Sequence, residues 1–300
     1  MIGFIERKQC RAYVCSLFLV FGLLQSASYA HADQDLTEIR RMAKQGEATN
    51  QLNLGLSYDT GNGVAQDSKQ AVFWYRKAAE QGEAEAQLLL GLSYADGKGT
   101  VEDSKQAVFW IRKAAEQGLA VAQLSLGSMY VEGEGVAQDA KQAVFWFRKA
   151  GEQGEAKAQF NLGISYDTGD GVPQDSTQAA FWYRKAAEQG HATAQNNLGL
   201  CYNRGNGVPQ DSKQAVFWFR KAAEQGSADG QLDLGVAYGL GKGIPQDNKQ
   251  SYIWLSVAAA NGDPKAREYR DMMAKKLSQS ELTEAQKLAG QYFEKYQSRS

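Results

Sequence analysis

The sequence is poor in the side chains that most catalytic chemistry needs. Its 300 residues include three cysteines, two histidines and four prolines. Cys10, Cys15 and His31 fall within the first 32 residues, which leaves Cys201 and His191 for the rest of the chain. One cysteine makes no internal disulfide, even in an oxidising compartment. One cysteine and one histidine cannot assemble a zinc site. Nucleophilic catalysis needs a base beside the nucleophile, and His191 is the one histidine left to serve as that base. Neither sign of charge dominates: the net charge is −1, so the basic stripe that nucleic acid requires is missing. With 43% hydrophobic residues and so few prolines, the composition is that of a folded chain.

Long apolar runs are also missing. Ala12 to Leu24 is the one candidate, 13 residues long, which is short of the roughly 20 needed to cross a bilayer. Arg7, Lys8 and Arg11 precede it, and Ala30-His31-Ala32 follows with small residues at the right places. This is the pattern of a secretory signal. Residues 1–32 are therefore read as a signal peptide cut before Asp33, with a cut after Ala30 as the alternative and an uncleaved anchor as the competing reading. The expected location is periplasmic or secreted.

The strongest feature present is a repeat. Trp74, Trp110, Trp146, Trp182, Trp218 and Trp254 stand 36 residues apart. Leu54-Gly55 through Leu234-Gly235 share that step, as do Tyr58 through Tyr238. Periods of this length mark stacked supersecondary units. Within one unit, Gln51, Leu54, Gly55 and Tyr58 follow i, i+3, i+4, i+7, so helix A is expected from about Ala48 to Thr60. A glycine inside a helix costs about 1 kcal/mol relative to alanine, so the Gly55 column implies close packing against a neighbouring backbone. Gly61 and Gly63 end helix A. Asp67 then caps helix B, with Gln70 placed to reach back as in a capping box. Ala71, Trp74, Tyr75, Ala78 and Ala79 form its apolar stripe, and Gly82 closes it.

One hairpin cannot bury such a face alone, so the units must stack into an all-α superhelical solenoid with a concave side. The domain reading is a capping helix in 33–47 and repeats at 48–83, 84–119, 120–155, 156–191, 192–227 and 228–263. Two C-terminal capping helices follow in 264–300. Pro264 suits the first turn of the first of them, expected to reach about Leu277. The last starts near Ser280, with Leu282, Ala285, Leu288, Ala289, Tyr292, Phe293 and Tyr296 as its apolar stripe.

The unit A-x-A-Q-x-x-L-G-x-x-Y-x-x-G-x-G-V-x-Q-D-x-x-Q-A-x-x-W-x-x-K-A-A-x-Q-G resembles the Sel1-like repeat, a relative of the tetratricopeptide repeat. Ala156-Lys157-Ala158-Gln159 through Glu188-Gln189-Gly190 carries nearly all of it. The resemblance spans about residues 35–277. It implies a right-handed α/α solenoid and a non-catalytic scaffold or adaptor that binds other proteins, with no cofactor and no metal. Exported bacterial members act as envelope factors, regulators or host-interaction proteins. The disulfide-per-repeat subgroup, for which β-lactam chemistry has been claimed, does not fit this cysteine count. The sixth copy drifts, with Ser251-Tyr252 for Ala-Val and Val257 for Lys.

Residues that look chemical have plainer readings. His191 is expected to be a solvated turn residue, and Cys201 a small helix residue. Gly97-Lys98-Gly99-Thr100 fails the Walker spacing, and the G-x-G pairs lack a third glycine and a preceding strand. The tryptophans are expected in the core rather than in a sugar-stacking row. The partner surface is instead expected on the A helices, opposite Leu54 and Tyr58, where positions 49, 53, 56 and 60 form one stripe. One column reads Asn53, Leu89, Ser125, Asn161, Asn197 and Asp233. The other reads Thr60, Asp96, Glu132, Thr168, Arg204 and Leu240. Such a stripe would take another protein or an extended peptide. The alternatives are an envelope enzyme acting on peptidoglycan or β-lactams, since carboxylates alone can cleave glycosides, and an envelope-glycan binder.

Overall fold

The computed structural model describes residues 36–297. The signal-peptide reading lies outside the described residues. Fifteen α-helices and no strands occur among the residues described. The chain divides into two compact units at Gln138/Asp139. The first holds α1 (Leu36–Gln45), α2 (Ala48–Thr60), α3 (Ser68–Glu80), α4 (Ala84–Asp96), α5 (Ser104–Glu116) and α6 (Ala120–Glu132). The second holds α7 (Ala140–Glu152), α8 (Ala156–Thr168), α9 (Ser176–Glu188), α10 (Ala192–Arg204), α11 (Ser212–Glu224) and α12 (Ala228–Leu240). It ends with α13 (Asn248–Ala260), α14 (Pro264–Ala274) and α15 (Gln279–Tyr296). The expected helix A bounds of 48–60 agree with the structure. Helix α14 stops at Ala274, three residues short of the expectation, and turns through to Leu277.

Local chemistry sets these boundaries. Asp67 accepts hydrogen bonds from the Lys69 and Gln70 N–H groups, and Asp211 does the same for Lys213 and Gln214. The expected return bond from the glutamine does not form. The Asp67 N–H already donates to the Tyr58 carbonyl at 2.9 Å, as Asp211 does to Tyr202, so the donor it would satisfy is taken. A complete capping box occurs instead at Ser278 and Glu281, which start α15. At the far end of helix B, Glu83 N–H reaches back to the Ala78 carbonyl across Gly82, closing a Schellman turn.

Within each unit, a helix A packs against the helices B that flank it in sequence. Leu54, Leu90, Leu162, Leu198 and Leu234 are fully buried at these contacts. The Gly91 column lets the partners approach: a Cβ there would lie 3.1 Å from the Ala107 carbonyl and 2.6 Å from Ile111 Cγ1. The close approach therefore involves a side chain as much as the backbone anticipated from sequence. In the loops, Gly207 has φ 70 and sits on the Ser176 carbonyl of the preceding hairpin, which leaves no room for a side chain.

Polar ladders tie neighbouring hairpins. Gln51, Gln87, Gln159, Gln195 and Gln231 each donate Nε2 to a carbonyl eight residues earlier, at 2.9–3.2 Å. Each also accepts from the amide 30 residues later, at 2.6–2.8 Å. A second ladder runs from Arg76, Arg112, Arg148, Arg184 and Arg220 to the tyrosine hydroxyl 18 residues on, at 2.7–3.0 Å.

The ends differ from the middle. Helix α1 takes the place of a helix B ahead of the first repeat, with Ala43 buried and its carbonyl bonded by Gln51. Helix α15 folds back along α13. Ala285 and Ala289 enter a core with Ile253 and Leu255, and Tyr292 and Tyr296 pack on Trp254 with ring centroids 5.1 and 5.4 Å away.

Candidate functional site

The two columns of the expected stripe occupy different environments. Thr60, Asp96, Glu132, Thr168, Arg204 and Leu240 are all exposed at the C-terminal ends of the A helices. Leu240 is the extreme, an apolar side chain left 69% open. The other column turns inward. Leu89 is buried in the core with Tyr75 and Leu90, while Asn53, Ser125, Asn161, Asn197 and Asp233 are half-buried. Ser125 spends its hydroxyl on the Val121 carbonyl of its own helix. Asn197 bonds the buried Tyr183 hydroxyl. The stripe is thus a solvent-facing rim backed by an inner polar row, rather than one uniform surface.

The two columns meet at the junction of the fifth and sixth repeats. Asp233 and Leu240 both line a recess of about 110 Å³, with Asn203, Ser212, Phe219 and Lys242 around them. Burial pushes the Asp233 carboxyl up to about 6, with Asp229 and Asp263 adding to the rise. A hydrogen bond from Asn196 and the nearby Arg204 guanidinium oppose it. Asn196 is itself buried, and its Oδ1 finds no partner. The recess therefore joins an apolar lip to a carboxyl that titrates just below neutrality.

His191 corrects the sequence reading. It is not a solvated turn residue: it is half-buried, its Nδ1 accepts the Ala194 N–H at 3.2 Å, and it stacks on Phe160 with centroids 4.5 Å apart. Burial, aided by Lys157, lowers its imidazole to about 4, so it is a neutral helix cap at physiological pH. Cys201 is buried, and burial lifts its thiol to about 11. A thiol held in that state is a poor nucleophile. Among the described residues, no group of three or more His, Cys, Asp or Glu is placed to hold a metal. No helix among them is long and apolar enough to cross a membrane.

The tryptophans divide: Trp146, Trp218 and Trp254 are buried, and Trp74, Trp110 and Trp182 are half-buried. Beside them the sequence reading missed a column. Phe73, Phe109, Phe145, Phe181 and Phe217 repeat like core residues yet stay 45–49% exposed. Each meets the following tryptophan edge to face at 5.0–5.1 Å. A lysine four residues on lies over each phenylalanine at 4.8–5.6 Å. The signal was available: position 73 is two residues from both Ala71 and Tyr75, hence off the buried side of a 3.6-residue helix.

The geometry defines a tandem helical-hairpin repeat protein in which neighbouring hairpins bury one another's apolar faces. The Sel1 repeat model matches residues 51–83, 84–119, 120–155, 156–191, 192–227 and 228–263, and the chain belongs to the Sel1 repeat family. Proteins of this family mediate protein–protein interaction. The solved structure of a Sel1 repeat protein from Oxalobacter formigenes is 39% identical, with a TM-score of 0.63 over 71% of this chain and 86% of that one. A protective antigen of uropathogenic Escherichia coli with an SLR fold is 33% identical. It covers 87% of this chain and 72% of its own, with a TM-score of 0.39. No curated protein matches the chain.

Proposed function

We propose that this chain is an exported, non-catalytic scaffold of a bacterial cell envelope that holds a protein or extended peptide on its A-helix rim. One observation carries the reading. The rim column is exposed in every copy and changes identity in nearly every copy, while the packing columns of Leu54, Gly55 and Tyr58 repeat. Packing imposes no residue there, so that is where a specific partner can be encoded. The half-buried amides of Asn161 and Asn197 lie one row behind and suit a peptide backbone.

The test begins with crosslinking in the native cell and mass spectrometry to name the partner. Replacing Thr168, Arg204 and Leu240 together with serine is then expected to weaken that partner at least tenfold with an unchanged melting temperature. Undiminished binding would sink the rim. Hydrolysis of peptidoglycan or nitrocefin by the purified protein would overturn the non-catalytic reading. For export, N-terminal sequencing of the periplasmic or secreted form is expected to begin at Asp33; a cytoplasmic protein starting at Met1 would refute it.

A further inference from the structure

The outer faces of the B helices carry a second, independent pattern. In α7 and α11 the exposed stripe reads Lys141-Phe145-Lys149 and Lys213-Phe217-Lys221. In α9 it reads Thr177-Phe181-Lys185. Residues four apart share a helix face, so each stripe places a half-exposed phenylalanine midway along a face with lysine beside it. The two lysines of a full stripe are separated by about 12 Å of helix.

The sixth repeat shows what such a face accepts. There the stripe is Lys249-Ile253-Val257, and it is covered by the chain's own last helix. Lys249 keeps its charge and pairs with Glu284 of α15 at 2.7 Å. Ile253 replaces the phenylalanine and is fully buried, in one core with the small residues Ala285 and Ala289. Tyr292 and Tyr296 seat on Trp254. The second lysine has become Val257, also fully buried.

We infer that the outer faces of α3, α5, α7, α9 and α11, the first two carrying Lys69-Phe73-Lys77 and Lys105-Phe109-Lys113, are docking sites for an amphipathic α-helix of a partner protein. Its apolar row must be flanked by carboxylates. Helix α15 supplies the template, because it is an amphipathic helix already seated on the one copy of this face that is covered. The open copies differ from the covered one by a retained lysine, so their ligand needs a second carboxylate about two turns beyond the first. Helix-in-groove recognition works in this way: apolar anchors give affinity and flanking charges give choice. An anionic lipid surface fits less well, because Glu152, Glu188 and Glu224 stand exposed at the end of each helix.

The probe is a fluorescein-labelled peptide of residues 278–297 with Gln291→Glu. This places two carboxylates, Glu284 and the new one, two turns apart. Anisotropy titration against the purified chain is expected to show saturable binding. The combined variant Phe73→Ser, Phe109→Ser, Phe145→Ser, Phe181→Ser and Phe217→Ser is expected to weaken it at least tenfold while leaving the circular-dichroism melt unchanged. Reversing the second lysine of every stripe (Lys77→Glu, Lys113→Glu, Lys149→Glu, Lys185→Glu and Lys221→Glu together) should abolish binding of this peptide and admit one that keeps Glu284 and bears lysine at 291. Serine at Thr168, Arg204 and Leu240 should leave peptide binding intact, which separates this surface from the rim. No saturable binding below about 1 mM, or binding indifferent to the phenylalanines, overturns the proposal. Phenylalanine-dependent adsorption to phosphatidylglycerol vesicles without peptide binding would put a membrane there instead. A dimer that the serine variant dissolves would put a second copy there.

Discussion

The hairpins in the middle of the chain and those at its ends carry nearly the same residues under different constraints. In the middle, the second loop glycine of each hairpin sits on the main chain of the hairpin before it, as Gly207 does on Ser176. At the start, Gly63 meets only the Leu36 side chain, at 3.0 Å from where a Cβ would be. The arginine ladder behaves likewise. Arg220 bonds Tyr238 at 3.0 Å, but the next pair of positions holds Ser256 and Ala274, so both partners are lost together. A column is therefore held by what its neighbour presents, as a quasi-one-dimensional stack requires. Where the neighbour ends, the arginine and tyrosine columns drift, whereas Gly63 is retained at a φ of 71 that favours glycine.

The largest expected effect tests that rule directly. Gly207→Ala must place a side chain at positive φ and push it into a carbonyl oxygen, which together cost about 3–5 kcal/mol. Gly63→Ala bears the same backbone strain but faces a flexible leucine, so about 1–2 kcal/mol is expected. Thermal melts of the two variants should differ clearly in midpoint. Equal losses would mean that the loop conformation alone, rather than the neighbour, holds the glycine column.

The glutamine ladder gives the next effect. Gln195 is buried, donates to the Ala187 carbonyl at 3.1 Å and accepts from Gln225 at 2.6 Å. Gln195→Leu removes both bonds, but the Ala187 carbonyl keeps the Gly190 N–H and Gln225 is exposed, so the loss is expected at about 1–2 kcal/mol. In the first repeat, Gln51 makes the same two bonds, but one goes to α1, a helix of 10 residues where the other B helices have 13. Gln51→Leu is expected to cost about half as much. Urea titrations followed by circular dichroism will rank the two, and a reversed order would break the comparison.

Asp233 marks the place where the sixth repeat departs from a column that reads asparagine in three other copies. Its carboxyl is raised to about 6 from an ordinary 3.8. The protonated form is the one the fold favours. Its stabilising effect is complete below pH 3.8 and is lost as pH rises through 6. Asp233→Asn removes that dependence. It is expected to raise stability by about 1–2 kcal/mol at pH 7, after discount for partial exposure, and by little at pH 4. A gain that is equal at both pH values would mean that Asp233 titrates normally.

Much of this architecture was readable from the residues, and the limits were physical. Glycine and aspartate columns punctuate the chain so regularly that helix bounds followed from them. The glutamine was readable as buried, but not as a clip, because its partners lie eight residues before and 30 after and only stacking brings them together. His191 looked solvated because the ring that covers it, Phe160, belongs to another helix. The stripe on helix A read as one surface because angular position was visible and depth was not. The phenylalanine column escaped notice for the opposite reason. Repetition in this sequence usually means burial, and here it does not.

The smallest effect concerns the arginine ladder itself. Arg184 donates to the Tyr202 hydroxyl at 2.8 Å and lies 5.8 Å from the ring centre. Tyr202→Phe removes the hydrogen bond but keeps the ring under the guanidinium, so the cation–π contact survives. The pair is partly solvated, so the loss is expected at about 0.5–1 kcal/mol. Tyr202→Ala should cost more, because the ring and its packing go as well. If Phe and Ala are equally harmful, the hydroxyl bond is the tie between hairpins. If Phe is silent, the ring is the tie, and the joint appearance of serine and alanine at 256 and 274 records the loss of a packing contact.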